Sequence, residues 1–177
     1  GVPTLAHLTC VSSTREHVHK VVEELKEYNI ENIMALRGDI PKDGNIQNDY
    51  RYASELIREI RESGDFCIGA ACYPEGHVES VNKTEDIQHL KEKVEAGCDF
   101  ITTQMFFDNE KFFSFVDRCR SAGITVPIVP GLKPISKASQ LTLLPRVFHV
   151  DIPDMLVREI VKCKDDSQVK QVGIDWC

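Results

Sequence analysis

The chain has 177 residues, enough for one domain with a sizeable core. Its 21 basic and 28 acidic residues leave a net charge of −7, which argues against nucleic acid or an anionic membrane surface as the main partner. No apolar run approaches the roughly 20 residues of a membrane span, and no signal peptide precedes Leu5.

From the start, Thr4 to Val11 is apolar with His7 inside it and reads as a buried strand. Ser13-Thr14-Arg15-Glu16 has the form of a capping box, and Val18, Val21, Val22 and Leu25 follow at helical spacing to about Tyr28. Asn32 to Leu36 is a second strand, followed by a polar loop from Asp39 to Asp49. Ala53, Leu56, Ile57 and Ile60 mark a helix, and Phe66 to Cys72 a third strand ending in Tyr73-Pro74-Glu75-Gly76-His77. Ile87, Leu90 and Val94 mark a helix closed by Gly97. Phe100 to Thr103 is a strand ending in Gln104-Met105-Phe106-Phe107, with both phenylalanines read as core or barrel-rim packing rather than stacking platforms. A helix through Phe112, Phe115, Val116 and Cys119 closes at Gly123, before a strand from Val126 to Val129. Ser136 is expected to cap a short helix to Leu144; Asp151 and Pro153 open another at N-cap and N1, and Gln168 to Cys177 reads as a last helix cut mid-way.

Seven cysteines, odd in number and with no CxxC pair, suit reduced thiols in a cytoplasm better than a disulfide framework or a zinc site. Strand and helix alternate about every 30 residues, the pattern of parallel βα units. Every strand carries polar, glycine or proline motifs at its C-terminal end. A doubly wound sheet concentrates function at one switch point, whereas a (β/α)8 TIM barrel spreads it over all strand ends. Such a barrel needs roughly 250 residues. The expectation is therefore a partial barrel of about five parallel βα units, one domain over residues 1–177, lacking strands at both ends.

The organising stretch is Asn32-Ile33-Met34-Ala35-Leu36-Arg37-Gly38-Asp39, an apolar strand that stops in a polar triplet. Arg37 can hold an anion, Gly38 lets a ligand approach the backbone, and Asp39 sets a carboxylate over it. Arg37 and Asp39 read equally as an internal ion pair at a loop start. Asp86, His89 and Lys93 share one helix face, which by itself reads as a solvated charged stripe. His7 by itself reads as a satisfied core histidine, and His77 as a loop residue.

Residues 6–10 (AHLTC), 32–39 (NIMALRGD), 73–77 (YPEGH), 89–108 (HLKEKVEAGCDFITTQMFFD) and 127–136 (PIVPGLKPIS) resemble the FAD-dependent methylenetetrahydrofolate reductases, in the manner of the bacterial-type catalytic domain. The resemblance runs over essentially the whole chain and makes the first strand here the family's third. It implies a (β/α)8 barrel with FAD across the strand ends, 5,10-methylenetetrahydrofolate as substrate, NADH or NADPH as electron donor, and a cytoplasmic homo-oligomer when full length. It places His7, Arg37, Gly38, Asp39, Tyr52, Ala53, Tyr73 and His77 at the flavin, and Asp86, His89 and Lys93 at its adenosine or diphosphate part. Asp39 is the implied catalytic carboxylate: beside the flavin it favours hydride donation and stabilises a cationic folate iminium. Gln104 and Gln140, with Asp39, are the implied substrate contacts, since a glutamine amide offers donor and acceptor to a pterin edge. Leu144 stands where the family often has an aromatic residue over the site. The family's protonating glutamate falls upstream of Gly1 and a substrate-holding arginine downstream, so the 177 residues alone are expected to be inactive.

Two other classes fit a barrel of this kind. One is a non-catalytic accessory barrel that keeps flavin or folate contacts. The other is a pterin-dependent methyltransferase with no flavin. Asp39 together with Gln104 favours the reductase over the first, and Arg37-Gly38-Asp39 with Tyr73 and His77 favours a flavin over a pterin-only site.

Overall fold

The computed structural model describes residues 2–11, 13–38 and 49–177. Five strands alternate with helices: β1 (Leu5–Thr9), α1 (Arg15–Glu27), β2 (Asn32–Leu36), α2 (Ala53–Ser63), β3 (Cys67–Cys72), α3 (Lys83–Glu95), β4 (Phe100–Thr103), α4 (Asn109–Ser121) and β5 (Ile128–Val129). Three helices follow, α5 (Gln140–Phe148), α6 (Asp154–Val161) and α7 (Asp166–Trp176). All strand pairs are parallel and the sheet order is the chain order, β1-β2-β3-β4-β5.

The register divides the sheet into two faces. Leu8, Ala35, Ala70, Ile101 and Ile128 form one row across it. This face packs on Val18 and Val22 of α1, Leu56, Ile57 and Ile60 of α2, Ile87 and Leu90 of α3, and Phe115 and Cys119 of α4. His7, Met34, Gly69 and Phe100 form a row on the other face. There the Phe100 ring fills the space above Gly69: a Cβ on Gly69 would lie 2.5 Å from Phe100 Cζ. A sheet in sequential order with α1 to α4 on one face is the wall of a barrel. A doubly wound sheet reverses order and carries helices on both faces. The chain is thus a partial (β/α)8 barrel. The helices α5 to α7 close a second, smaller core through Leu144, Leu156, Ile160 and Val169, with Phe107 and Ile135.

The ends of the sheet are treated differently. At the N-terminal end Arg61 donates to Phe66 O (2.8 Å), Gly97 O (2.7 Å) and Asp99 Oδ2 (2.5 Å), and Asp99 Oδ2 also accepts from Ile68 N (2.7 Å). This staple ties α2, β3 and β4 together and leaves the C-terminal end for ligands. Four cysteines (Cys10, Cys72, Cys98, Cys119) are buried; burial pushes the thiols of Cys98 and Cys119 up to about 11, so they act as apolar packing. No helix among the described residues is long and apolar enough to cross a membrane.

Several local expectations are corrected. The α1 N-cap is Thr14, whose Oγ1 accepts from His17 N (3.1 Å), while Ser13 donates instead to Thr9 O (2.9 Å). The first strand is the edge strand of the described sheet: Leu5, His7 and Thr9 are exposed, and within the strand only Leu8 is buried. β5 keeps only Ile128 and Val129, since Pro127 and Pro130 bracket it. Ser136 does not cap α5, which starts at Gln140, and α6 starts at Asp154 with Pro153 as its N-cap.

Candidate functional site

A cavity of about 660 Å³ opens at the C-terminal ends of β1, β2 and β3. Its floor is Thr9, then Leu36 at the end of β2 with Arg37 and Gly38 beyond it, then Ala71, Cys72 and Tyr73 at the end of β3. One wall is the first turn of α2, with Tyr52, Ala53 and Ser54. The opposite wall is α3, which presents Asp86, His89 and Lys93 from one face. His77, Glu79 and Ser80 of the β3–α3 loop complete it.

Both walls are anchored by caps. Glu55 Oε2 reaches back to the N–H groups of Arg51 (2.5 Å) and Tyr52 (2.9 Å), fixing the start of α2. Asn82 Oδ1 accepts from Thr84 N (3.0 Å) and Glu85 N (2.9 Å) at the start of α3. Tyr52 stacks on His89 (centroids 6.1 Å apart), so α2 and α3 meet through two flat rings at the cavity. Gly38 has φ +86°, and a Cβ there would lie 3.1 Å from Thr9 Cβ. That position therefore needs glycine both for its backbone and for its closeness to β1.

The polar groups are arranged in pairs. Arg37 forms a two-point ion pair with Glu79, through Nη1 to Oε2 and through Nη2 to Oε1 at 3.0 Å. The guanidinium holds the Glu79 carboxyl below its usual range, and the carboxylate in turn raises Arg37. His77 Nδ1 accepts from Glu79 N (3.2 Å), and its ring sits edge-on to Tyr73 (centroids 4.7 Å apart). Burial, with Arg37 nearby, lowers the His77 pKa and favours neutral imidazole. The Lys93 ammonium donates to Ala71 O (2.9 Å); burial lowers its pKa, with Asp86 opposing the shift. Asp86 Oδ1 accepts from Ser80 Oγ (3.1 Å).

Of the sequence-derived candidates, Arg37, Gly38, Tyr52, Ala53, Tyr73, His77, Asp86, His89 and Lys93 thus line one cavity. Asp39 lies outside the described residues. His7 does not line the cavity and is not a core histidine; it is exposed on the face of β1 opposite Leu8. Gln104 follows β4 at the same end of the sheet but does not line this cavity; its Oε1 accepts from Met105 N (3.0 Å). Gln140 lies further along, where its Oε1 accepts from Ser136 N (2.7 Å) and Lys137 N (3.1 Å). Leu144 is 1% exposed in the second core, so it does not overlie a site. Phe106 and Phe107 are buried, and Phe106 stacks on Phe112 (4.9 Å). Sequence reasoning missed Glu79, the partner of Arg37. Its signal was an acid two residues past His77 in the same loop.

The cavity can hold an elongated polar ligand. Its volume lies in the roughly 300–1,000 Å³ range of cofactor pockets. Arg37 and Lys93 offer cationic donors to an anionic group, Asp86 accepts from hydroxyls or amines, and Tyr52 with His89 offers an aromatic surface.

Comparison with known proteins places this geometry. The chain is 40% identical to methylenetetrahydrofolate reductase 1 of Schizosaccharomyces pombe, over 98% of this chain and 30% of that protein. It is 36% identical to 5,10-methylenetetrahydrofolate reductase of Escherichia coli, over 97% of this chain and 57% of that protein. The chain thus spans between about a third and somewhat over half of these curated relatives. Among solved structures, a protein of Clostridium thermocellum described as binding two copies of 5-methyl-5,6,7,8-tetrahydrofolic acid has the same fold, with TM-score 0.68 and 15% identity over 99% of this chain and 59% of that one. A phosphonopyruvate hydrolase gives TM-score 0.52 and 16% identity over 98% of this chain and 69% of that one. The family model described as methylenetetrahydrofolate reductase matches residues 1–177, and the chain belongs to that family.

Proposed function

We propose that this chain is the part of a flavin-dependent reductase that holds FAD, in a protein reducing 5,10-methylenetetrahydrofolate to 5-methyltetrahydrofolate with NADH or NADPH. The observation that carries the reading is the convergence of residues 37–38, 52–53, 73–77 and 86–93, distant in sequence, on one cavity at the C-terminal ends of the strands. The relatives named as reductases of this folate, and the family match, support the substrate.

The donor set fits a dinucleotide. Arg37 and Lys93 are the cations for its diphosphate, and Asp86 accepts from ribose hydroxyls. Tyr52 and His89 offer the flat surface for its adenine. Neutral His77 offers Nε2–H as a donor, because its Nδ1 is already an acceptor. Gln104 and Gln140 are the substrate contacts in this reading, each with its Oε1 already accepting from backbone N–H and its amide N–H as the donor for the pterin. Asp39 is the carboxylate assigned in this reading to the hydride-transfer chemistry. Bound in this cavity, FAD supplies the hydride transfer from nicotinamide to the folate.

The test is the absorbance spectrum of the full-length protein as purified. It is expected to be yellow, with an oxidised-flavin spectrum, and to release FAD on denaturation; Arg37→Ala is expected to lower the flavin content. A colourless protein that fails to take up added FAD contradicts the reading.

A further inference from the structure

Two polar groups of the cavity, Arg37 and His77, are held by one residue that lies between them in space. Arg37 follows β2, and His77 and Glu79 belong to the β3–α3 loop, so the Glu79 carboxylate bridges two strand ends. Its two oxygens engage both Nη atoms of Arg37. A guanidinium has five N–H groups, and this fork uses two of them. The backbone N–H of the same residue donates to His77 Nδ1 (3.2 Å), which requires that nitrogen to be unprotonated and puts the ring proton on Nε2. The loop that carries both residues is wound by its own bonds, Gly76 N to Tyr73 O and Ser80 N to His77 O, each 3.0 Å. The ion pair is too exposed to matter greatly for folding: the side chains of Arg37 and Glu79 are 32% and 51% accessible.

We propose that Glu79 is a positioning residue of this cavity: its carboxylate orients the Arg37 guanidinium, and its backbone N–H fixes His77 as the Nε2–H tautomer, so that both present ready donors to one ligand. This rests on the reading of the cavity as a flavin site. It assigns Glu79 no contact with the ligand itself. Lys93 and Asp86 face the same space from α3, yet neither is paired with Arg37 in the described structure.

The experiment uses the full-length protein stripped of flavin, with FAD itself as the probe, titrated by quenching of flavin fluorescence. Glu79→Gln keeps the side-chain shape and removes the charge. It is expected to weaken FAD about tenfold, the effect of losing one charge-assisted contact, with the thermal midpoint of the apoprotein unchanged. In an Arg37→Gln background the same change is expected to have no further effect, because the residue acts through Arg37. Glu79→Asp is expected to recover part of the affinity. In nitrogen-15 spectra His77 is expected to carry its proton on Nε2. Tighter FAD binding by Glu79→Gln would overturn the proposal, making Glu79 an occupant that the ligand displaces. Unchanged binding, a parallel fall in thermal midpoint, or a proton on His77 Nδ1 would overturn it as well. Failure of the wild-type protein to bind FAD removes the flavin reading itself, and the proposal with it.

Discussion

Gly38 is where the backbone of the candidate site is most constrained, and the structure supplies its own control. Both Gly38 (φ +86°) and Gly123 (φ +84°) occupy the left-handed region. A Cβ on Gly123 meets nothing within 4 Å, so Gly123→Ala isolates the backbone cost, about 1 kcal/mol. A Cβ on Gly38 lies 3.1 Å from Thr9 Cβ and 3.4 Å from Thr9 Cγ2 and Val11 Cβ. The neighbouring strand end cannot yield freely, because Cys10 N donates to Leu36 O (3.0 Å) and Val11 N to Arg37 O (2.7 Å). Overpacking adds about 1 kcal/mol, the low end of its usual range. Gly38→Ala is thus expected to cost about 2 kcal/mol, twice the control. At about 2–4 °C per kcal/mol for a domain of this size, the thermal midpoint should fall about 6 °C, against about 3 °C for Gly123→Ala. Thermal and urea unfolding of the purified variants measure both. Equal losses would refute the close approach of β1 to Gly38.

Two further predictions concern titration and charge. The folded-state pKa of His77 lies below its ordinary 6.5. As pH falls, the unfolded chain therefore takes up this proton first. The associated stability is complete above about pH 6.5 and is lost as pH falls through the lower folded value; in His77→Asn, urea midpoints at pH 7.5 and 5.5 are expected to differ less than in wild type. Asp39→Asn in the full-length enzyme is expected to slow delivery of hydride to the folate by about 10²–10³ while leaving flavin reduction by nicotinamide little changed; stopped-flow absorbance separates the two half-reactions, and equal slowing of both would make Asp39 a positioning group.

The barrel was legible because the apolar strands and the amphipathic helices have different periods. The helix stripe Leu56, Ile57, Ile60 and the strand run Ile68 to Cys72 pack on each other as their patterns require. Periodicity could not show that β1 lies at an edge, because burial of His7 depends on what covers the sheet. The choice between Ser13 and Thr14 as cap was also beyond pattern reading, since both hydroxyls suit the role and only the path of the chain after Thr9 decides. At the site, the α3 face of Asp86, His89 and Lys93 was visible as a spacing, but only the resemblance gave it a ligand-facing role. The Arg37–Glu79 pair spans 42 residues of sequence, and an ion pair between loops leaves no periodic trace.

The most direct test of the proposed reductase uses the full-length protein under anaerobic conditions. Its flavin is bleached with NADH or NADPH, and 5,10-methylenetetrahydrofolate is then added. The account predicts return of the oxidised-flavin absorbance, with one 5-methyltetrahydrofolate formed for each flavin reoxidised. A reduced flavin that stays bleached in the presence of the folate would contradict it.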